Sequence, residues 1–357
     1  MAGVPSVSEF LEEYYDGAGV EDVVTRLFPI ESHRERYDLP VGTQVHQEEA
    51  TVTVATDVLF EIDSADLSDG ADAALQAAAD EFADVEGGDL LIVGHTDDVL
   101  DEAHNQALSE DRAEAVYERL QDLADLAVFD SVETQGRAFH DPLAPNDSED
   151  NRALNRRVEL HFTPPPEPPN PSDSAADLPG TEGAEGTFTE SVEVVSETGG
   201  NTRRAQLHIE SVERVGHLLV GRITVEQIEG IGDDGGGPLA WPMASVLGGP
   251  RGSSGLQPYA QFTTDAPTLL AGGYRIYPLD YFAASPEGDD DDATLIPLVD
   301  RFFTATFDPG ESATATILWP ALNVETLTVD VPSESADDGL WGTIGLDPWR
   351  ITDVPVE

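Results

Sequence analysis

Between Thr163 and Gly186 the chain reads Pro164-Pro165-Pro166-Glu167-Pro168-Pro169-Asn170-Pro171 and then turns small, polar and acidic. Proline at this density removes backbone donors and fixes φ, so neither a helix nor a sheet interior can run through it. The segment is a spacer, extended at first and flexible from Ser172 onward. Its two flanks are therefore expected to fold independently, and 357 residues leave room for two or three domains.

In the N-terminal flank, Leu90-Leu91-Ile92-Val93 runs into Gly94 with acidic residues on either side, the pattern of a buried strand. Leu108, Val116, Leu120 and Leu123 follow near three-to-four spacing, which predicts a long amphipathic helix. Asp97 then lies on the loop between strand and helix, and Asn105 and Arg112 fall on one helical face about 10 Å apart. A carboxylate, an amide and a guanidinium converging there suit a ligand that carries both charges. Upstream, Thr51 to Ile62 alternates as a strand, Ser64 to Gly70 turns with Ser68 and Asp69 as cap candidates, and Ala71 to Asp84 is an alanine-rich helix ended by Gly87-Gly88. Downstream, Ala127 to Thr134 is expected as a third strand, His140 to Asp150 as a polar loop and Arg156 to Phe162 as the closing strand. That order predicts an α+β domain with both helices on one face of a mixed sheet. Residues 1–49 are expected to be partly ordered, with short helices at Val7 to Tyr15 and Val20 to Leu27 and a turn at Leu39 to Gly42.

Gly94-His95-Thr96-Asp97, then Asn105, Leu108-Ser109, Arg112-Ala113 and Asn155-Arg156-Arg157-Val158-Glu159, resembles the OmpA-like (peptidoglycan-associated) domain family. Val58 to Leu67 is similar to that family's opening strand and turn, and the resemblance spans residues 50–162. It implies non-covalent binding of the diaminopimelate-containing stem peptide of peptidoglycan, attachment to the cell envelope, no catalysis and no cofactor. Carried onto this chain, the ligand-binding residues are Asp97, Asn105 and Arg112, with Arg156 lining the same cleft. Aspartate would take the ligand's ammonium and arginine its carboxylate in a two-toothed fork. The alternative for Asp97 and Arg112 is a structural ion pair that stabilises the loop, a reading that does not exclude binding. The sequence departs from the family pattern at Leu100 and Asn151, where glycine is common, and Asp98, Asp101 and Glu102 make the loop unusually acidic. A scaffold that keeps the fold without binding peptidoglycan is the alternative reading.

Charge narrows the partners. The chain carries 71 acidic residues against 17 basic ones, every basic one an arginine, for a formal net charge of -54. Repulsion of that size is relieved by molar salt, whose screening length is about 3 Å, so a salt-adapted protein is expected. Nucleic acid and anionic membranes are disfavoured as partners because basic clusters are missing. The absence of cysteine excludes disulfides, thiolate metal sites, cysteine nucleophiles and a lipidated N-terminal cysteine. No apolar run approaches the roughly 18 residues of a membrane span, and Met1 to Asp16 lacks the basic and apolar regions of an export signal. A leader upstream of Met1 would reconcile that with an envelope location.

No histidine pair has metal-ligand spacing. Asp289 to Asp292 reads as a solvated loop and Gly235 to Pro238 as a flexible connection, since neither has the ligand pattern or lysine of a cation or phosphate site. His95 reads as a packing or hydrogen-bonding residue. The C-terminal flank changes to short β-type runs at Val192 to Val195, Ala205 to Val212, Leu218 to Val225, Phe302 to Phe307, Ala313 to Leu318 and Thr326 to Val331. Residues 187–357 are thus expected to be an all-β sandwich in weak resemblance to immunoglobulin-like accessory domains, open to a protein partner.

Overall fold

The computed structural model describes residues 30–46, 49–61, 63–165, 178–181, 183–198, 201–229, 247, 262–263, 266–283, 294–298, 301–302, 309–332 and 348–357. Val7 to Tyr15, Val20 to Leu27, Gly235 to Pro238, Asp289 to Asp292, Phe303 to Phe307 and most of the proline run lie outside the described residues.

Three strands open the described chain: β1 (Ile30–Arg36), β2 (Val41–His46) and β3 (Glu49–Ala55), paired in antiparallel succession. The expected turn at Leu39 to Gly42 joins the first two. The stretch before residue 50 therefore adds two strands to the sheet, where partial order was expected for this segment as a whole; the turn leads into strand-like residues, those of β2.

Beyond β3 come α1 (Thr56–Leu59), α2 (Ala71–Asp80), β4 (Asp89–Gly94), α3 (Glu102–Leu123), β5 (Ser131–Gly136), α4 (Glu149–Asn155) and β6 (Arg157–Phe162). The strand order is β5-β4-β6-β3-β2-β1, with β4 and β5 parallel and the other neighbours antiparallel. The strand expected to run to Ile62 stops at Ala55. Its partner β6 begins at Arg157, opposite Ala55, and the amide of Thr56 donates to the carbonyl of Arg156 instead. The chain then winds into α1 and doubles back, with Phe60 bridged to Leu67. The third strand starts at Ser131, later than expected, because Leu126–Val128 forms a single 3-10 turn capped by Asp125. The polar loop ends in a helix, α4, capped by Ser148.

Alternation decides which face each side chain of β6 meets. Val158, Leu160 and Phe162 enter the core beneath α2 and α3, together with Leu75, Phe82, Leu90, Ile92, Val116 and Leu120. Arg157, Glu159 and His161 lie on the opposite face. The helix α3 approaches β4 and β5 closely because Gly94 and Gly136 stand side by side in register. A Cβ on Gly94 would lie 2.1 Å from the Ser109 carbonyl oxygen, and one on Gly136 would lie 2.5 Å from the Glu110 amide nitrogen.

The C-terminal half is all β. It comprises β7 (Ala184–Thr187), β8 (Val192–Thr198), β9 (Asn201–Val215), β10 (Leu218–Glu229), β11 (Phe262–Thr263), β12 (Thr268–Ala271), β13 (Tyr274–Ile276), β14 (Asp280–Ala283), β15 (Thr294–Pro297), β16 (Arg301–Phe302), β17 (Ser312–Pro320), β18 (Thr326–Val331) and β19 (Trp349–Pro355). A sheet of order β17-β10-β9-β8 and the run β13-β12-β18-β19-β7 enclose one core, in which Trp319 and Trp349 are the largest fully buried side chains.

The two halves share a sheet. β1 pairs on its free side with β13, matching Arg34 to Ile276 and Arg36 to Tyr274, and with β14 through Ile30 and Tyr281. Arg34 also ion-pairs with the buried Glu81 just past α2, and both Arg34 and Arg36 lie over the ring of Tyr274. An edge strand offers unpaired backbone groups, and here the second half satisfies them. The expectation that the two flanks fold independently does not include this backbone contact.

Candidate functional site

The first half of α3 buries polar residues and its second half buries apolar ones. Asn105, Ser109 and Arg112 are buried at one end, Val116 and Leu120 at the other, while Leu108 is only half-buried. A helix in a core would bury leucine where this one buries an amide, a hydroxyl and a guanidinium, so the polar end is built for another purpose. The helix starts at Asp101, whose carboxylate accepts from the amide of His104 at 3.1 Å and so satisfies one free end group.

Asp97 sits on the loop just before that cap. One carboxylate oxygen accepts from the Val99 amide at 3.2 Å and the other from Arg156 Nη1 at 2.9 Å. Asn105 donates its side-chain amide to the carbonyls of Asp97 at 3.2 Å and Leu100 at 3.0 Å. It holds the loop closed against the helix, and its backbone amide donates to the Asp101 carbonyl at 3.0 Å.

Arg156, the residue between α4 and β6, is the hub. Its Nε and Nη2 form a two-toothed pair with Asp57 at 3.0 and 2.9 Å, and Nη2 also reaches Glu149 at 3.0 Å. Those bonds, Asp57 first, raise its pKa well above the ordinary arginine value against the cost of burial. Asp57 and Glu149 were not legible as site residues in the sequence. The strand reading of residues 51–62 placed Asp57 in a regular ladder, and Glu149 lay in an expected loop.

Arg112 is only 5% exposed, with its guanidinium 5.2 Å from the centre of the Phe60 ring and its Nε donating to the Ser64 carbonyl at 3.0 Å. Among the described residues no carboxylate hydrogen-bonds it. Burial lowers its pKa, and the nearby charges of Asp57, Asp63 and Asp97 offset that only partly. The structure thus brings Asp97, Asn105 and Arg156 into direct contact, and places Arg112 beside them without an ion pair to Asp97. The loop that holds Arg112 is itself pinned by His104, whose Nε2 lies 2.8 Å from Asp63, a residue with left-handed backbone at φ 52.

Behind the loop lies a polar cluster. Glu159 accepts from Arg157 Nε at 2.6 Å and pairs with His161 Nε2 at 3.0 Å, with His95 Nε2 3.4 Å away. Burial pushes the Glu159 carboxyl up, but the bond from His161, the nearby His95 and the Arg157 guanidinium outweigh it and hold the group below the usual carboxylate range. Arg157 also donates to the Asp141 carbonyl at 2.9 Å, so it and Arg156 point to different neighbours. His95 is buried beside the site, its Nδ1 3.3 Å from the His140 carbonyl. An open groove lined by Gln106, Glu110, Asp111, Glu114 and Thr134 to Gly136 runs between α3 and β5; it holds carboxylates without a cation and lies away from Asp97.

Among the described residues no helix is long and apolar enough to cross a membrane, and no group of acidic and histidine side chains has the arrangement of a metal site.

With this geometry, residues 59–156 match the model of the OmpA family, and this part of the chain is an OmpA-like domain. Outer membrane porin F of Pseudomonas aeruginosa is 35% identical over 109 residues, covering 30% of this chain and 31% of that protein. Outer membrane protein A of Bordetella avium is 30% identical over 113 residues, covering 32% of this chain and 57% of its own. The chain thus spans about a third of the porin F relative and somewhat over half of the other. Among solved structures, the cell wall anchor of the T6SS from Pseudomonas aeruginosa shares 30% identity at a TM-score of 0.31, covering 35% of this chain and 89% of that one.

Proposed function

We propose that the OmpA-like domain attaches this protein non-covalently to peptidoglycan in the cell envelope, by gripping the zwitterionic end of a diaminopimelate side chain. One observation carries the reading: Arg112 is a buried guanidinium ringed by three aspartates yet hydrogen-bonded to none. A buried cation in that state is completed by an incoming carboxylate, for which arginine supplies a planar fork. Asp97 and Asp57 then offer the ammonium its counter-charge. Asn105 serves by shaping the loop, and Arg156 by holding Asp97 in place. The all-β half acts as an immunoglobulin-like accessory domain whose partner is a protein, and the domain carries no catalysis. The match to the OmpA family over residues 59–156 supports attachment in general, and the ring of charge supports the choice of ligand.

The competing scaffold reading draws on Asp97 itself, both of whose oxygens are already engaged. Sedimentation of the full chain with purified diaminopimelate-type sacculi at high salt separates the two. Co-sedimentation that is lost in the Asp97→Ala/Arg112→Ala double variant supports peptidoglycan binding. Equal retention of both proteins removes the site assignment, and retention of neither leaves the scaffold.

A further inference from the structure

We propose, resting on that reading, that the cleft can accept one anionic group and no more, so that it discriminates against stem peptides presenting a second free carboxylate beside the zwitterion. Three guanidiniums and four carboxylates meet here: Arg112, Arg152 and Arg156 with Asp57, Asp63, Asp97 and Glu149. Arg156 is largely committed, with four of its five N–H groups shared among Asp57, Asp97 and Glu149 at 2.9 to 3.0 Å. Arg152 is also committed, with Nε on Glu149 at 3.2 Å and Nη1 on the Asn146 carbonyl at 3.1 Å. Of these three arginines, Arg112 alone has no carboxylate hydrogen-bonded to it among the described residues. The nearby histidines also face carboxylates: His104 lies 2.8 Å from Asp63, His140 3.4 Å from Glu102 and the buried His95 3.4 Å from Glu159.

The surroundings reinforce the limit. Asp98, Asp101, Glu102 and Asp150 lie on the adjoining loop and helix ends with no further arginine among them. A ligand carboxylate placed on Arg112 meets a desolvated cation. A second one meets guanidiniums already neutralised and carboxylates in excess, and like charges a few ångströms apart repel. The device that sets the limit is Asp57, which occupies the Nε–Nη2 edge of Arg156, the edge best shaped to bind a carboxylate.

The test uses two stem tripeptides ending in diaminopimelate, both with the zwitterionic side-chain end intact. One has the backbone carboxylate of that residue free and the other has it amidated. Titration of the full-length protein is expected to show the amidated peptide binding about fivefold to tenfold tighter at 0.15 M salt, a gap that shrinks at 2 M salt as repulsion is screened. Asp57→Ala, which removes both acceptor oxygens and frees that edge of Arg156, is expected to raise affinity for the free-carboxylate peptide and narrow the gap, a gain that misfolding does not produce. Equal affinities for the two peptides overturn the discrimination while leaving the site itself intact. Binding of neither peptide overturns both this inference and the proposed function beneath it.

Discussion

Two arginine–carboxylate clusters in this chain have opposite stoichiometry. In the OmpA-like domain one arginine, Arg156, serves three carboxylates, and two of them, Asp57 and Glu149, are 57% and 69% exposed. In the all-β half one carboxylate, Asp330, serves two arginines, and all three side chains are 10% exposed or less. Asp330 takes Arg275 Nη1 at 2.6 Å and Arg350 Nε at 2.8 Å, Arg275 also bonds Thr268, and Arg350 reaches the Pro179 carbonyl at 2.6 Å. The closed cluster staples four strands and the tail of the spacer together. The open cluster has solvent-facing carboxylates and an unpaired neighbour, Arg112. Similar chemistry is structural in one place and available for binding in the other, and the difference is burial.

The sharpest way to break this contrast is to remove the carboxylate of the closed cluster. Asp330→Ala leaves the buried Arg275 without its counter-charge and Arg350 with only the exposed Glu185 at 4.0 Å, a loss expected to cost about 3–5 kcal/mol. Denaturant unfolding of the full chain measures it, and a cost below about 1 kcal/mol would show that the cluster is not a staple. The matching change in the open cluster, Arg156→Met, is expected to cost only about 1 kcal/mol, because two of the three carboxylates it releases, Asp57 and Glu149, already face water. Its effect appears in binding instead, as loss of co-sedimentation with sacculi once Asp97 is no longer held.

A third test concerns the polar cluster behind the loop, where pH has two opposed effects. The depressed pKa of Glu159 contributes stability that is complete above the ordinary carboxylate value, about 4.3, and drains as pH falls toward the folded value. Burial lowers the pKa of His161, but its bonds to Glu159 and then Glu49 raise it further, for a net rise. That contribution is complete below about pH 6.5 and is lost as pH rises through the raised value. Wild type minus Glu159→Gln should therefore give a stability difference that is largest near pH 5 to 6.5 and shrinks on either side. Taking the difference removes the background from the other acidic residues, and a flat profile would mean the pair is not coupled.

Much of this architecture was legible because it rests on local periodicity. The strand Leu90 to Val93, the long helix and the closing strand each carry an apolar pattern that decides a face. The helix bounds were less legible on the buried side, since the stripe of α3 passes through Asn105, Ser109 and Arg112 and not through Leu108. Pairings between distant segments left no local trace. Nothing in Ile30 to Arg36 announces that its partners are Val41 to His46 on one edge and Tyr274 to Ile276 on the other. The short strands Thr268–Ala271 and Trp349–Pro355 escaped for the same reason. In the site, Asp97 and Arg156 were readable from the motif, whereas Asp57 became a partner only because the chain turns into a helix at Thr56.

The smallest effect expected concerns backbone strain beside the site. Left-handed backbone at Asp63, Asp141 and Asp353 falls on a residue type that tolerates it, but Ala138 adopts φ 48 while fully buried. Its amide donates to Ser109 Oγ at 3.1 Å and its carbonyl accepts from the Thr96 amide at 2.8 Å, so it ties α3 to the strand end that presents Asp97. The left-handed conformation costs a residue with a Cβ about 1–2 kcal/mol. Glycine removes that strain but adds about 0.4–1 kcal/mol of unfolded-state entropy and forfeits about 0.8 kcal/mol from one buried methyl. Ala138→Gly should therefore be nearly neutral in thermal unfolding. Ala138→Val, which puts a branched side chain into the same conformation and the same closed space, should destabilise clearly. If the valine variant melted with the wild type, the loop under Asp97 would be free to relax, and the rigid placement of the site would have to come from Asn105 and Arg156 alone.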